Sequence, residues 1–250
     1  MSRPAHYFIY GLHTLQAVLE RQPERVLSVA VAQGKTDVRV QQVVQEVERH
    51  GIALQRVPDK QISRQLGEVN HQGVMAQVRP ARIGNEHDLL QDLAQLAAPL
   101  LLVLDGVQDP HNLGACLRSA DAAGAQGVVV PRDRACGLNA TVSKVAVGAA
   151  EVLPFYQVTN LARCLRELQQ AGMTCVGLAG EAETTLYDCD LRGPLALVLG
   201  AEGSGLRRLT RETCDVLAKL PMQGSVESLN VSVTAGVALF EAVRQRIAGN

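Results

Sequence analysis

The 250-residue chain has no tryptophan, three phenylalanines and four tyrosines. It offers few rings for stacking nucleobases, so any contact with nucleic acid has to rest on shape and phosphates. A strong charge of one sign is also missing, the formal net charge being -1. No stretch of about 18 residues is free of charged and turn residues, which excludes a helix that spans a bilayer. Residues 1–10, MSRPAHYFIY, lack a basic segment followed by a long apolar run and a small-residue cleavage site. A secretory leader is therefore not expected, and a cytoplasmic location is. The six cysteines, Cys116, Cys136, Cys164, Cys175, Cys189 and Cys214, include no CxxC pair and no histidine partner at metal-ligand spacing. This argues against zinc and against a disulfide framework, and leaves most of them as small core residues. A cysteine nucleophile at Cys116 or Cys136 has no histidine in a recognisable arrangement.

What is present points to two domains, since the length suffices for two buried cores. The near-neutral total hides an asymmetry: residues 1–84 carry 11 Lys+Arg against 7 Asp+Glu, and residues 85–250 carry 13 against 18. Five of the six histidines fall within the first 87 residues. The amino-terminal part is thus where a polyanion would dock, although a surplus of this size also suits an ordinary solvated surface.

The apolar pattern predicts a helix over GLHTLQAVLE, a strand over VLSVAVA, and an amphipathic helix over TDVRVQQVVQEVERHG closed by Gly51. A strand IALQRV, a short helix near Asp59–Leu66 and a strand GVMAQVRP stopped by Pro80 complete a small α/β unit over 1–80. Residues 81–98 read as a linker that can hold a short helix. Over 99–250 the strands LLLVLDG, GVVVP, TCVGLAG and LALVLG are apolar almost throughout. Such runs are buried on both faces, as in a parallel sheet covered by helices. NLGACLRSADAAG, NATVSKVAVGAA, NLARCLRELQQAG and NVSVTAGVALFEAVRQR fill the intervals as helices. The expected fold is α/β, a small amino-terminal domain followed by a doubly wound, mostly parallel domain.

Three strand-end stretches carry candidate chemistry. In DPHNLGACLRSADAAG, Leu113, Leu117 and Ala120 form an apolar face, with Gly114, Arg118 and Asp121 opposite. Arg118 is either an exposed ion-pair partner of Asp121 or a ligand-binding residue. Asn112 is placed at the helix N-cap, at the carboxyl end of a strand, where open α/β sheets bind ligands. In LVLGAEGSGLRRLT, Gly200, Gly203 and Gly205 follow a strand directly. Their G-x-x-G-x-G spacing is not the dinucleotide fingerprint, so a nicotinamide cofactor is not expected. Glu202 could accept hydrogen bonds from a hydroxyl or amine, or cap the following helix. In KLPMQGSVESLNVSVTAG, Ser228 and Asn230 precede the last helix, and each alone is an N-cap candidate. Three such turns at one sheet edge exceed what capping requires and describe a pocket.

Read in order, N-x-G-x-x-x-R-S-A (Asn112 to Ala120), LVLGAEGSGL and LPMQGSVESLNVSVTAG resemble the three signature motifs of the SPOUT superfamily. The likeness is to its TrmH/SpoU branch of RNA ribose 2'-O-methyltransferases. YGLHTLQAVL and HQGVMAQV resemble the substrate-binding module of the bacterial 23S rRNA (guanosine-2'-O)-methyltransferases acting on the peptidyl-tRNA-site loop, so the resemblance spans nearly the whole chain. It implies a trefoil-knotted methyltransferase domain, S-adenosylmethionine as cofactor, no metal, a 23S rRNA substrate and a homodimer. By position, it implies cofactor contacts at Gly200, Leu220, Met222 and Leu229. The polar residues it carries over are Arg118, Asn112, Glu202, Ser228 and Asn230. Arg118 then acts on the ribose hydroxyl as base or as clamp, and the clamp is chemically preferred because a guanidinium keeps its proton. RNA contacts are expected from residues such as Arg3, Arg56 and Arg64. A tRNA substrate, or a non-catalytic rRNA-binding assembly factor, is the alternative.

Overall fold

The computed structural model describes residues 5–249, and its contacts divide the chain between Arg82 and Ile83. Arg3 lies outside the described residues. The first unit runs β1 (Tyr7–Tyr10), α1 (Leu12–Arg21), β2 (Val26–Ala32), α2 (Val38–Arg49), β3 (Ala53–Val57), α3 (Asp59–Leu66) and β4 (Val74–Val78). Its sheet has the order β1-β4-β2-β3, antiparallel except where β2 meets β3. The i, i+3, i+4 spacing read from the sequence becomes burial: Leu15, Val18 and Leu19 of α1, with Val40, Val43, Val44 and Val47 of α2, are shielded from solvent. Asp37 starts α2 by accepting from the Val40 main-chain N–H at 3.2 Å. Arg56 and Arg64 are both exposed.

The second unit begins inside the segment read as a linker. There β5 (Ile83–Gly84) is followed by α4 (Glu86–Leu93), whose start is fixed by a reciprocal capping box between Asn85 and Asp88. The chain continues through β6 (Leu100–Asp105), α5 (Pro110–Ala122), β7 (Gly127–Pro131), α6 (Ala140–Ala146), α7 (Ala149–Val152), β8 (Phe155–Val158), α8 (Leu161–Gln170) and β9 (Thr174–Leu178). It ends with β10 (Thr184–Thr185), β11 (Leu195–Gly200), α9 (Arg208–Thr213), β12 (Val216–Lys219) and α10 (Val231–Ala248). The eight strands form one sheet, β10-β12-β9-β11-β6-β7-β8-β5, and every neighbouring pair is parallel.

The unbroken apolar strands are explained by burial on both sides. Leu100, Leu102 and Leu104 of β6 pack in one core with Leu113 and Leu117 of α5 and Leu239 of α10. Leu101 and Val103, on the other face, pack with Leu89 of α4 and Leu165 and Leu168 of α8. One expected helix is divided: NATVSKVAVGAA forms α6 and α7, separated at Val147 and Gly148. Both adopt left-handed backbone, with φ of 50° and 94°, and two such residues in succession cannot continue a right-handed helix.

Candidate active site

All strands of the second sheet point the same way, so the loops after β6, β11 and β12 leave from one edge. At the end of β6, Asp105 is buried although charged. Beyond it, Asp109 is the N-cap of α5: its Oδ1 accepts from the His111 N–H at 3.1 Å, and Pro110 occupies the first helical position. Asn112 is therefore not the cap that its residue type suggested. It sits inside the first turn and is buried, which frees its amide for another task. Gly114 does not share an exposed side with Arg118, because a Cβ there would lie 2.7 Å from Cβ of Val145 in α6.

After β11 the chain folds back sharply. The Gly205 N–H donates to the Ala201 carbonyl at 2.9 Å, and Gly203 and Gly205 take φ of 78° and 63°. A Cβ on Gly200 would stand 2.0 Å from the carbonyl carbon of Gly205. These glycines serve the turn's own closure, and the turn in turn presents Glu202.

After β12 a loop leads to Asn230, the N-cap of α10. Its Oδ1 accepts from the Ser232 N–H at 2.8 Å and from the Ser232 hydroxyl at 2.6 Å. Its Nδ2 donates to Asn112 Oδ1 at 2.9 Å and to Glu202 Oε1 at 2.6 Å. Every hydrogen-bonding position of the Asn230 amide is thus engaged, which fixes its orientation. One residue from each strand-end stretch meets at this amide. Asn112 and Glu202 line a cavity of about 420 Å³ together with Asp105, Gln108, Arg134 and Arg207.

The other expected site residues make no side-chain hydrogen bond to this cluster among the described residues. Ser228 is exposed on the loop before Asn230. Arg118 is exposed, pairs with no carboxylate among the described residues, and is not part of the cavity lining. Six residues beyond Asn112, it stands about 9 Å along the helix and is turned by roughly 120°. Of the residues named for the cofactor, Gly200 ends β11 and Leu220 follows β12, with β9 between those strands. Leu220 packs on the core, Met222 is half-buried, and Leu229 is 38% exposed. Among the described residues, the main chain of 221–229 pairs with no other main-chain group. A loop with free N–H and C=O groups beside apolar strand ends suits an adenosyl ligand held by backbone and van der Waals contact.

Asp105 and Arg207 were missed by the sequence reading. Asp105 Oδ2 accepts the Arg207 N–H at 2.9 Å, and Oδ1 takes both Nε and Nη2 of the same side chain. The available signal was a carboxylate ending an otherwise wholly apolar strand.

The thiols are poor nucleophiles. Burial, with a smaller push from Glu202, raises Cys116 to about 12, and burial also raises Cys136 above the ordinary thiol range. Thiols held protonated at neutral pH do not attack. Activity is accordingly expected to survive iodoacetamide; loss of activity in step with alkylation of Cys116 or Cys136 would restore the cysteine mechanism. Among the described residues no cluster of His, Cys, Asp and Glu is arranged to hold a metal ion, and no helix is long and apolar enough to cross a membrane.

Residues 99–240 match the SpoU rRNA Methylase family, and residues 8–84 match the RNA 2'-O ribose methyltransferase substrate binding family. The chain is 56% identical over 241 residues to a Vibrio parahaemolyticus protein named 23S rRNA (guanosine-2'-O-)-methyltransferase RlmB, covering 96% of this chain and 98% of that one. It is 54% identical over 238 residues to the Escherichia coli protein of the same name, covering 95% and 98%. Among solved structures it is similar to the SpoU methyltransferase AviRb from Streptomyces viridochromogenes in complex with the cofactor AdoMet, with a TM-score of 0.76, 24% identity, and coverage of 98% and 92%. With three strand-end motifs meeting at one amide and both family matches in chain order, this protein belongs to the SpoU rRNA methylase family.

Proposed function

We propose that the chain transfers a methyl group from S-adenosylmethionine to the ribose 2'-hydroxyl of a guanosine in 23S rRNA, the peptidyl-tRNA-site loop being the target region. The observation that carries this reading is the Asn112–Asn230–Glu202 cluster, of which Asn112 and Glu202 line the cavity. Its hydrogen bonds leave Asn112 Nδ2 and Glu202 Oε2 without partners among the described residues. A donor and an acceptor left open in one cluster suit a hydroxyl, which both accepts and donates. Relatives bearing this activity in their names match nearly the full chain.

When bound, S-adenosylmethionine supplies a methyl carbon activated by a sulfonium, so the protein's work is positioning and charge stabilisation. Gly200, Leu220, Met222 and Leu229 hold the cofactor. Asn112, Glu202, Ser228 and Asn230 orient the ribose. Arg118 binds the ribose oxygen or its phosphate, and it does so across a homodimer. Supporting that assembly, Val233 and Phe240 are exposed apolar side chains on the α10 face that includes Gly236, and Gly236 abuts Ser119, next to Arg118. A subunit joined along this stripe would place Arg118 at the subunit boundary.

The RNA-binding domain over residues 1–80 falls in the first unit and the methyltransferase domain over 99–250 in the second, which also takes in residues 83–98 of the segment read as a linker, and the protein works in the cytoplasm. A trefoil knot formed by the segment after β12 belongs to the same reading. Mapping ribose methylation in rRNA from cells with and without the gene tests the function. Loss of one guanosine 2'-O-methyl mark from 23S rRNA is expected; unchanged rRNA with a mark lost from tRNA would favour the tRNA alternative.

A further inference from the structure

Two different cations stand at the cavity. Arg134, exposed after β7, has a guanidinium with no partner among the described residues. Arg207 is held: Asp105, with its side chain 0% exposed, takes its Nε, its Nη2 and its main-chain N–H. The buried carboxylate lies at the end of β6, in register with Gly200 of β11, so the arginine is anchored to the centre of the sheet and not merely to a loop.

Phosphate binding draws on net positive charge and counterion release, and a guanidinium compensated by a buried carboxylate has little of either to offer. What Arg207 keeps is direction. Nη1 and the remaining N–H of Nη2 form a planar fork of donors, fixed from behind, on a side chain still 43% exposed at the cavity. Such a fork suits a neutral partner with two neighbouring acceptors. Guanine presents O6 and N7 in that arrangement, whereas adenine places an amine donor where O6 would be. A cavity of about 420 Å³ lies within the range of small-ligand pockets and can admit one nucleoside.

We propose that Arg207, with Asp105 as its positioning residue, selects guanosine by reading the O6 and N7 edge of the target base. This rests on the methyltransferase reading above and adds the source of its base specificity. Arg134, uncompensated, is left to bind phosphate.

The test uses the full-length protein, S-adenosylmethionine and a 23S rRNA fragment whose target position holds guanosine, 7-deazaguanosine or adenosine. For the unaltered protein, replacing N7 by carbon is expected to lower kcat/KM about tenfold, and adenosine more. The double substitution Asp105→Asn with Arg207→Gln exchanges the ion pair for amides of similar shape. It should methylate the guanosine and 7-deazaguanosine fragments at equal, reduced rates. Arg134→Gln should keep the 7-deaza penalty while reducing the salt dependence of RNA affinity. The proposal is overturned if the unaltered protein shows no 7-deaza penalty, a comparison that needs no variant to fold. It is also overturned if the double variant keeps the full penalty. No methyl transfer to the guanosine fragment at all would instead contradict the methyltransferase reading itself.

Discussion

Arg118→Lys is expected to reduce methyl transfer by about 10²–10³-fold while leaving RNA affinity nearly unchanged, because lysine keeps the charge but not the planar donor fork. Arg118 is exposed and absent from the cavity lining of its own chain, so in the proposed homodimer it acts at the site of a second subunit. A mixing experiment separates this from a local role. Arg118→Lys and Asn230→Ala chains, each inactive alone, are co-assembled in equal amounts. Half of the dimers are then mixed, and each mixed dimer holds one site with both residues intact. Recovery of roughly a quarter of full activity is the expected result. No recovery in verified mixed dimers would place Arg118 and Asn230 of the same chain in one site, and near-normal turnover of Arg118→Lys would remove the arginine from the mechanism.

Arg207→Ala carries the largest expected effect on stability. It leaves the Asp105 carboxylate, fully shielded at the end of β6, without its guanidinium. Breaking a fully buried pair from one side costs about 3–5 kcal/mol; with the guanidinium 43% exposed and the main-chain N–H of residue 207 still donating to Asp105, the expected cost is about 2–3 kcal/mol. Urea unfolding of the full chain should show a lowered midpoint of that size, and Asp105→Asn combined with Arg207→Gln should restore much of it. A loss below about 1 kcal/mol would mean that water or another group already compensates Asp105.

Much of the second unit was legible because a parallel strand covered on both sides has to be apolar throughout. LLLVLD, GVVVP and LALVLG show that pattern, and all but Gly200 among these residues are buried. The meeting of Asn112, Glu202 and Asn230 was legible as three turns leaving one sheet edge. Sequence alone could not say that one amide would join them. The N-cap of α5 was assigned to Asn112 when Asp109 holds it, although Pro110 in the first helical position carried that information. The break between α6 and α7 was less accessible, since left-handed backbone at Val147 runs against the preference of a β-branched residue and only Gly148 announced it. The Asp105–Arg207 pair joins residues 102 positions apart, and no local pattern encodes such a contact. Gly200, Gly203 and Gly205 were read as glycines following a strand outside the dinucleotide spacing; the close approach of Gly205 to Gly200, and the positive φ of Gly203 and Gly205, show that the turn itself requires them.

The most direct test gives the purified protein methyl-labelled S-adenosylmethionine together with a 23S rRNA transcript or total tRNA. Label on the ribose 2'-oxygen of a single guanosine of the 23S rRNA, abolished by Asn230→Ala, is the predicted result. An unlabelled rRNA, label on a base, or label confined to tRNA would contradict the account.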